Sequence, residues 1–241
     1  MIQAILFDFN GVIIDDERLQ LAAYREVLAA EGIELTEEDY FNSLGMDDVS
    51  FVRASLGRAN REYSDELASA LIEQKSAAHR LLIADDLPLF PGVVTFIKEA
   101  ARRYTLGVVS MARRTEIDYV LERSGLAEYL KTIVSAGDVG AHKPDPACYR
   151  LGFRLINERR RREAKMLIRE TDCLVIEDSP PGVRAARGAG LRTLGVTNTV
   201  VEKELRAAGA EVVTPSLADW VTDAVHHLYD SPPTTSDKSE V

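Results

Sequence analysis

Two hydrophobic periods divide this chain. Ile5, Leu6 and Phe7 make an unbroken apolar run that meets Asp8 and breaks at Gly11, the pattern of a buried strand delivering one carboxylate into a glycine turn. From residue 15 to about 85 such runs almost vanish, and apolar residues recur at helical spacing instead, as in Leu19, Ala22, Ala23, Val27 and Leu28. Further helical stretches at 51–56 and 67–82 are set off by Gly45, Gly57 and the cap signal Ser64-Asp65, so this segment reads as a small helical bundle. Beyond Pro91-Gly92 helix and strand patterns alternate. Helices are expected at 93–103, 115–124, 147–157 and 182–188, and strands at 106–110, 132–135, 174–176, 193–196 and 211–213. That alternation predicts a parallel sheet.

The composition narrows the function classes. A chain of 241 residues with 46% hydrophobic and 28% charged residues buries a full core, as one large domain or as a core domain with an insert. A net charge of −10 gives no reason to expect a nucleic-acid partner and favours small molecules. Cys148 and Cys173 are too few for a disulfide scaffold and lack metal-ligand spacing, so both read as packing residues in a reducing compartment. With no basic leader and no segment of membrane-spanning length, the expectation is a cytoplasmic protein with no membrane partner. The oligomeric state stays open.

The candidate chemistry lies at strand ends. In a right-handed parallel sheet the carboxyl ends of all strands share one side, so Asp8, Ser110, Lys143 and the Glu177-Asp178 pair can meet there although they are far apart in sequence. Asp8 and Asp178 suit a magnesium ion, which takes oxygen ligands and few protein carboxylates, and Lys143 would offset negative charge. The motifs FDFNGVIID, VVSMA, GAHKPDP and VIEDSPPGVRAA together resemble those of the haloacid dehalogenase-like superfamily, in its helical-cap phosphatase and β-phosphoglucomutase-like branch.

The resemblance spans nearly the whole chain. It implies an α/β fold with a Rossmann-like parallel-sheet core (residues 1–14 and 86–230) carrying helices on both faces, and an all-helical cap (15–85) inserted after the first strand. The polar, Pro-rich segment 231–241 is expected to be a disordered tail. By the same resemblance Asp8 attacks phosphorus, and Ser110 and Lys143 hold the phosphoryl group. Asp178 ligates Mg2+ with Glu177 in support, and the main-chain carbonyl of Asn10 completes the protein's metal contacts. Met111 and Arg113 follow Ser110 on the substrate side. The implied activity is Mg2+-dependent phosphoryl transfer through an aspartyl phosphate, as a phosphatase of a small phosphorylated metabolite. A sugar-phosphate mutase and a weakly catalytic phosphate-binding protein are the alternatives.

Asn10 is the departure that keeps those alternatives open. The family's phosphatases carry there an acid that protonates the leaving group, and an amide cannot exchange protons near neutral pH. General acid-base catalysis is worth about 10²- to 10⁴-fold, so poor leaving groups would suffer most. Asp15 or Asp16 is a candidate replacement donor, and deamidation at Asn10-Gly11 would restore an acid. Gly45-Met46-Asp47-Asp48 lies where relatives place substrate-specificity residues, and its acidity argues against a second phosphate on the substrate. His142 reads as a loop residue, and the basic run 159–162 as a solvated helix end.

Overall fold

The computed structural model describes residues 1–218 together with 220, 224, 225 and 229. The expected tail 231–241, and His226 and His227, lie outside the described residues. Six parallel strands, β1 (Ala4–Phe7), β2 (Thr105–Val109), β3 (Thr132–Val134), β4 (Cys173–Glu177), β5 (Arg192–Val196) and β6 (Val212–Thr214), form one sheet in the order β3-β2-β1-β4-β5-β6. β1 is central, with Phe7 level with Val108 on one side and Ile176 on the other. That register brings Asp8, Ser110 and Glu177-Asp178 to one edge of the sheet.

The strand period of two is visible in how β1 divides its side chains. Ile5 and Phe7 join one hydrophobic cluster with α5 (Val93–Ala100) and α6 (Arg114–Arg123), whereas Ala4 and Leu6 join a second with α7 (Ala147–Arg162) and α8 (Pro180–Gly188). Both faces of the sheet are therefore covered. Cys148 and Cys173 are unpaired thiols buried in the second cluster. A short helix, α9 (Glu202–Ala208), lies between β5 and β6 and packs Leu205 on Val183.

The segment between β1 and β2 builds its own core from α1 (Glu17–Ala30), α2 (Glu37–Phe41), α3 (Asp48–Arg58) and α4 (Asp65–Leu82). Three of these helices start on side-chain caps, with Thr36, Asp47 and Ser64 each accepting a main-chain N–H three residues on. Tyr24, Tyr40 and Phe51 form an aromatic knot at its centre, the Tyr24 and Phe51 rings 4.2 Å apart. The two linkers to the sheet run side by side, Asp15 N–H donating to the Pro88 carbonyl at 2.7 Å. Among the described residues no helix is long and apolar enough to cross a membrane.

The basic run at the end of α7 is not uniformly solvated. Arg160 is buried and donates to Gln3 Oε1 at 2.7 Å and to the Met166 carbonyl at 2.8 Å, pinning the helix end beneath β1.

Candidate active site

Asp8 is the first residue beyond β1, and its N–H still follows the ladder by donating to the Ile176 carbonyl at 2.9 Å. The chain then turns at Gly11, whose φ of +75° and lack of a side chain are both required: a Cβ there would lie 1.9 Å from Asp178 Oδ2. From the loop after β3, Lys143 extends its Nζ to 2.8 Å from Asp8 Oδ1 and 2.6 Å from Glu177 Oε1. The three carboxylates of Asp8, Glu177 and Asp178 each bring an oxygen within 4.8 Å of the others, all buried. Three segments of chain thus converge.

Electrostatics follow from this crowding. Burial, and next the Glu177 charge, push the Asp8 carboxyl up to about 7 although Lys143 pulls the other way. Asp178 is raised for the same reasons, burial first and then Glu177 and Asp8. Burial works against the Lys143 ammonium, yet Asp8 and Glu177 outweigh it and hold the lysine above its ordinary value. Glu177 is saturated: besides Lys143 it accepts from Tyr149 Oη at 2.7 Å, Ser179 Oγ at 3.0 Å and the Asp178 N–H at 3.1 Å. It positions Lys143 and has little left for a metal. Asp8 and Asp178 carry fewer bonds, Asp178 accepting from the Thr199 hydroxyl, and two crowded carboxylates of this kind suit a hard divalent cation. Asn10 lies in the same turn, and Asn198 ties that turn down through a 2.7 Å bond to the Gly11 carbonyl.

Ser110 is buried at the end of β2, where its Oγ accepts from the Ala112 N–H at 3.0 Å and keeps its own hydrogen for another acceptor. Met111 lines the same cavity as Asp8, Ser110 and Lys143. Arg113 does not: it turns to α4, 2.5 Å from Glu73 Oε1 and 3.3 Å from Ser76 Oγ. His142 places Nδ1 2.7 Å from the Lys143 carbonyl, outside the cavity lining.

Asn10 lines the cavity, but its amide nitrogen is taken up by Asp16 behind it. Its amide donates to both oxygens of Asp16, at 2.9 and 3.0 Å, and Asp16 also accepts from Gln20 Nε2 at 3.0 Å. His79 Nε2, from α4, lies 2.9 Å from Asp16 Oδ2 but outside hydrogen-bond geometry. Asp16 is wholly buried behind Asn10 and Asp15 is exposed, so neither lines the cavity. Glu17 does, with Tyr40 Oη donating to Oε2 at 2.6 Å. Burial, then the neighbouring Asp16 charge, raise its carboxyl to about 7.

The cap closes the site from above. Gly45, at φ +88°, lets a cap loop approach the core so tightly that a Cβ would meet Pro181 Cβ at 2.9 Å and Lys143 Cβ at 3.2 Å. Asp48 and Lys75 complete the upper wall.

Comparison with known proteins gives one consistent result. The sequence is 26% identical over 225 residues to SUPPRESSOR OF QUENCHING 1 of Arabidopsis thaliana, covering 90% of this chain and 20% of that longer protein. It is 27% identical over 192 residues to the fructose-1-phosphate phosphatase YqaB of Escherichia coli K12, covering 80% of this chain and 95% of the relative. The fold superposes on a β-phosphoglucomutase from Clostridium difficile with a TM-score of 0.82 at 22% identity, covering 95% of this chain and 98% of that one. The sequence model of the haloacid dehalogenase-like hydrolases matches residues 2–190, which take in the carboxylate turn, the helical insert, Lys143 and the Glu177-Asp178 pair. By that match and by the architecture around Asp8, the chain belongs to the haloacid dehalogenase-like hydrolase family.

Proposed function

We propose that this hydrolase is a Mg2+-dependent phosphatase of a small phosphorylated metabolite, working through an aspartyl phosphate on Asp8. The observation that carries the reading is the Lys143 ammonium held between Asp8 and Glu177, which sets a cation beside a buried strand-end carboxylate that faces the cavity with Ser110. Asp8 attacks phosphorus; the new Asp8–phosphorus bond forms as the ester bond breaks, and water then cleaves the acyl phosphate. Lys143 and the Ser110 hydroxyl each hold a phosphoryl oxygen, so charge developing there meets donors already in place. A magnesium ion held by Asp8, Asp178 and the Asn10 main chain would neutralise the remaining phosphoryl charge. The names of relatives, a fructose-1-phosphate phosphatase and a phosphatase of phosphorylated carbohydrates, favour a sugar phosphate as substrate. The two unpaired cysteines suit a reducing compartment such as the cytoplasm, and the charge of −10 speaks against a nucleic-acid partner.

A second reading, a phosphate-binding protein of weak turnover, is favoured by Asn10 alone. Mg2+-dependent phosphate release from a panel of small phosphoesters separates the two. We expect release that falls at least about 10³-fold in Asp8→Asn, the scale on which loss of a covalent nucleophile acts. Release that survives this substitution unchanged would overturn the mechanism. Tight phosphoester binding with no turnover in the parent protein would establish the binder.

A further inference from the structure

The cavity has two ends of opposite character. At the sheet end Lys143, Ser110 and the metal-suited carboxylates make a phosphate cradle. At the cap end, on which the following rests as an extension of the phosphatase reading, the wall carries the carboxylates of Glu17, Asp48 and Glu116 against a single ammonium, Lys75. That lysine is already spent, 3.2 Å from Asp48 Oδ1 and 3.3 Å from Glu116 Oε1. No arginine lines the cavity among the described residues.

The hydroxyl donors of the cap are spent as well. Tyr24 donates to Asp48 Oδ1 and Tyr40 to Glu17 Oε2. Two acceptor atoms of residues that line this end are then left without any partner among the described residues: Asp48 Oδ2 and Gln20 Oε1, both buried. Gln20 is only 6% exposed, and its orientation is fixed because the Asp16 carboxylate demands the amide nitrogen, so the orphan atom is the oxygen. A buried acceptor with no donor is costly, and a carboxylate oxygen more so. A ligand that supplies donors removes that cost, and one that supplies a second anion adds to it.

We propose that the leaving group of the substrate carries a protonated amine directed at Asp48, with a hydroxyl for Gln20, and no second phosphate, so that the substrate is an amino-sugar or amino-polyol monophosphate.

The test compares matched pairs by calorimetric binding to Mg2+-loaded Asp8→Asn protein, which holds a phosphoester without turning it over. The pairs are aminoalkyl and hydroxyalkyl phosphates of two to six carbons, and glucosamine 6-phosphate beside glucose 6-phosphate, with glucose 1,6-bisphosphate as the anionic control. The range of chain lengths ensures that some amine reaches Asp48. Because a hydrogen bond to a charged group is worth roughly twice a neutral one, at least one amine is expected to bind about tenfold more tightly than its hydroxyl partner. Adding Asp48→Asn should bring that ratio close to one. Equal binding within every pair, or tighter binding of the bisphosphate, would overturn the proposal, and this ratio is read on an unaltered cap even if the Asp48 variant fails to fold. Amine preference without phosphate release from the parent protein would instead sink the phosphatase reading and leave a binder of aminated phosphoesters. Release without amine preference would do the reverse.

Discussion

Replacing Asn10 by Asp would set a second carboxylate against Asp16, where the present amide sits 2.9 and 3.0 Å from both oxygens of a wholly buried acid. The amide donates where a carboxylate has nothing to give, so the two positions are matched as a pair. We expect Asn10→Asp to lose roughly 1–3 kcal/mol of stability at pH 8, and Asp16→Asn to restore most of it in the double variant. Independent, additive losses in urea unfolding would show that the pair is not coupled. Glu17 supplies a second prediction. Its folded-state carboxyl is raised from 4.5 to about 7, so its contribution to stability is complete below about pH 4.5 and is lost as pH rises through 7. Glu17→Gln should flatten that decline by up to about 3 kcal/mol, and parallel pH profiles for the two proteins would refute the shift. Asp8, Ser110 and Asp178 were legible in the sequence because each follows a strand pattern inside a motif, and Lys143 because it lies in the motif GAHKPDP. Tyr149 and Thr199 were not, since they meet Glu177 and Asp178 across 28 and 21 residues. Tyr149 also sits on an apolar helix face, where a tyrosine reads as core. Glu17 looked like an ordinary acid in a helix's first turn, a position the helix dipole favours anyway.

Between elements, the seam of α4 and α6 holds the cap on the sheet. Lys75 on α4 spans Asp48 of α3 and Glu116 of α6 with only 3% of its side chain exposed, and Ser76 and Arg113 add bonds along the same line. Lys75→Met would strand two largely buried carboxylates and is expected to cost about 3–5 kcal/mol in denaturant unfolding. Arg114→Ala, which breaks an exposed pair with Asp118, should stay within about 0.5 kcal/mol. Comparable losses from both would mean that burial of the seam carries no weight. The long, periodic elements were readable from spacing, whereas α2 and α9 were not. They span five and seven residues, too few for a helical period to stand out, and tertiary contact makes up what propensity lacks. The helix expected at 93–103 is shorter in the fold: α5 gives way after Ala100 to the turn that feeds β2.

For the molecule as a whole, a divalent ion that binds only the folded site stabilises by mass action, about 2.7 kcal/mol at one hundred times its Kd. Mg2+ should therefore raise Tm by roughly 5–10 °C in a chain of this size, and Asp178→Asn should abolish the rise. An equal rise in that variant would place the ion elsewhere. The α/β architecture with its helical insert was foreseeable because alternating periods dictate a parallel sheet, and the sheet dictates where the strand ends meet. The seating of the cap was not, because it depends on contacts such as that of Gly45 with Pro181 and Lys143 that leave no periodic trace. The central place of β1 has a consequence for how the chain is made. Strand β1 leaves the ribosome well before the β4 partner that completes its burial, which follows only after residue 172. At about 5–20 residues per second that interval lasts roughly 10–30 seconds. The helical insert, whose contacts are local, is ready well before the sheet that it will cover, and the apolar strand that leads to the nucleophile must wait unpaired on its β4 side until β4 has been made.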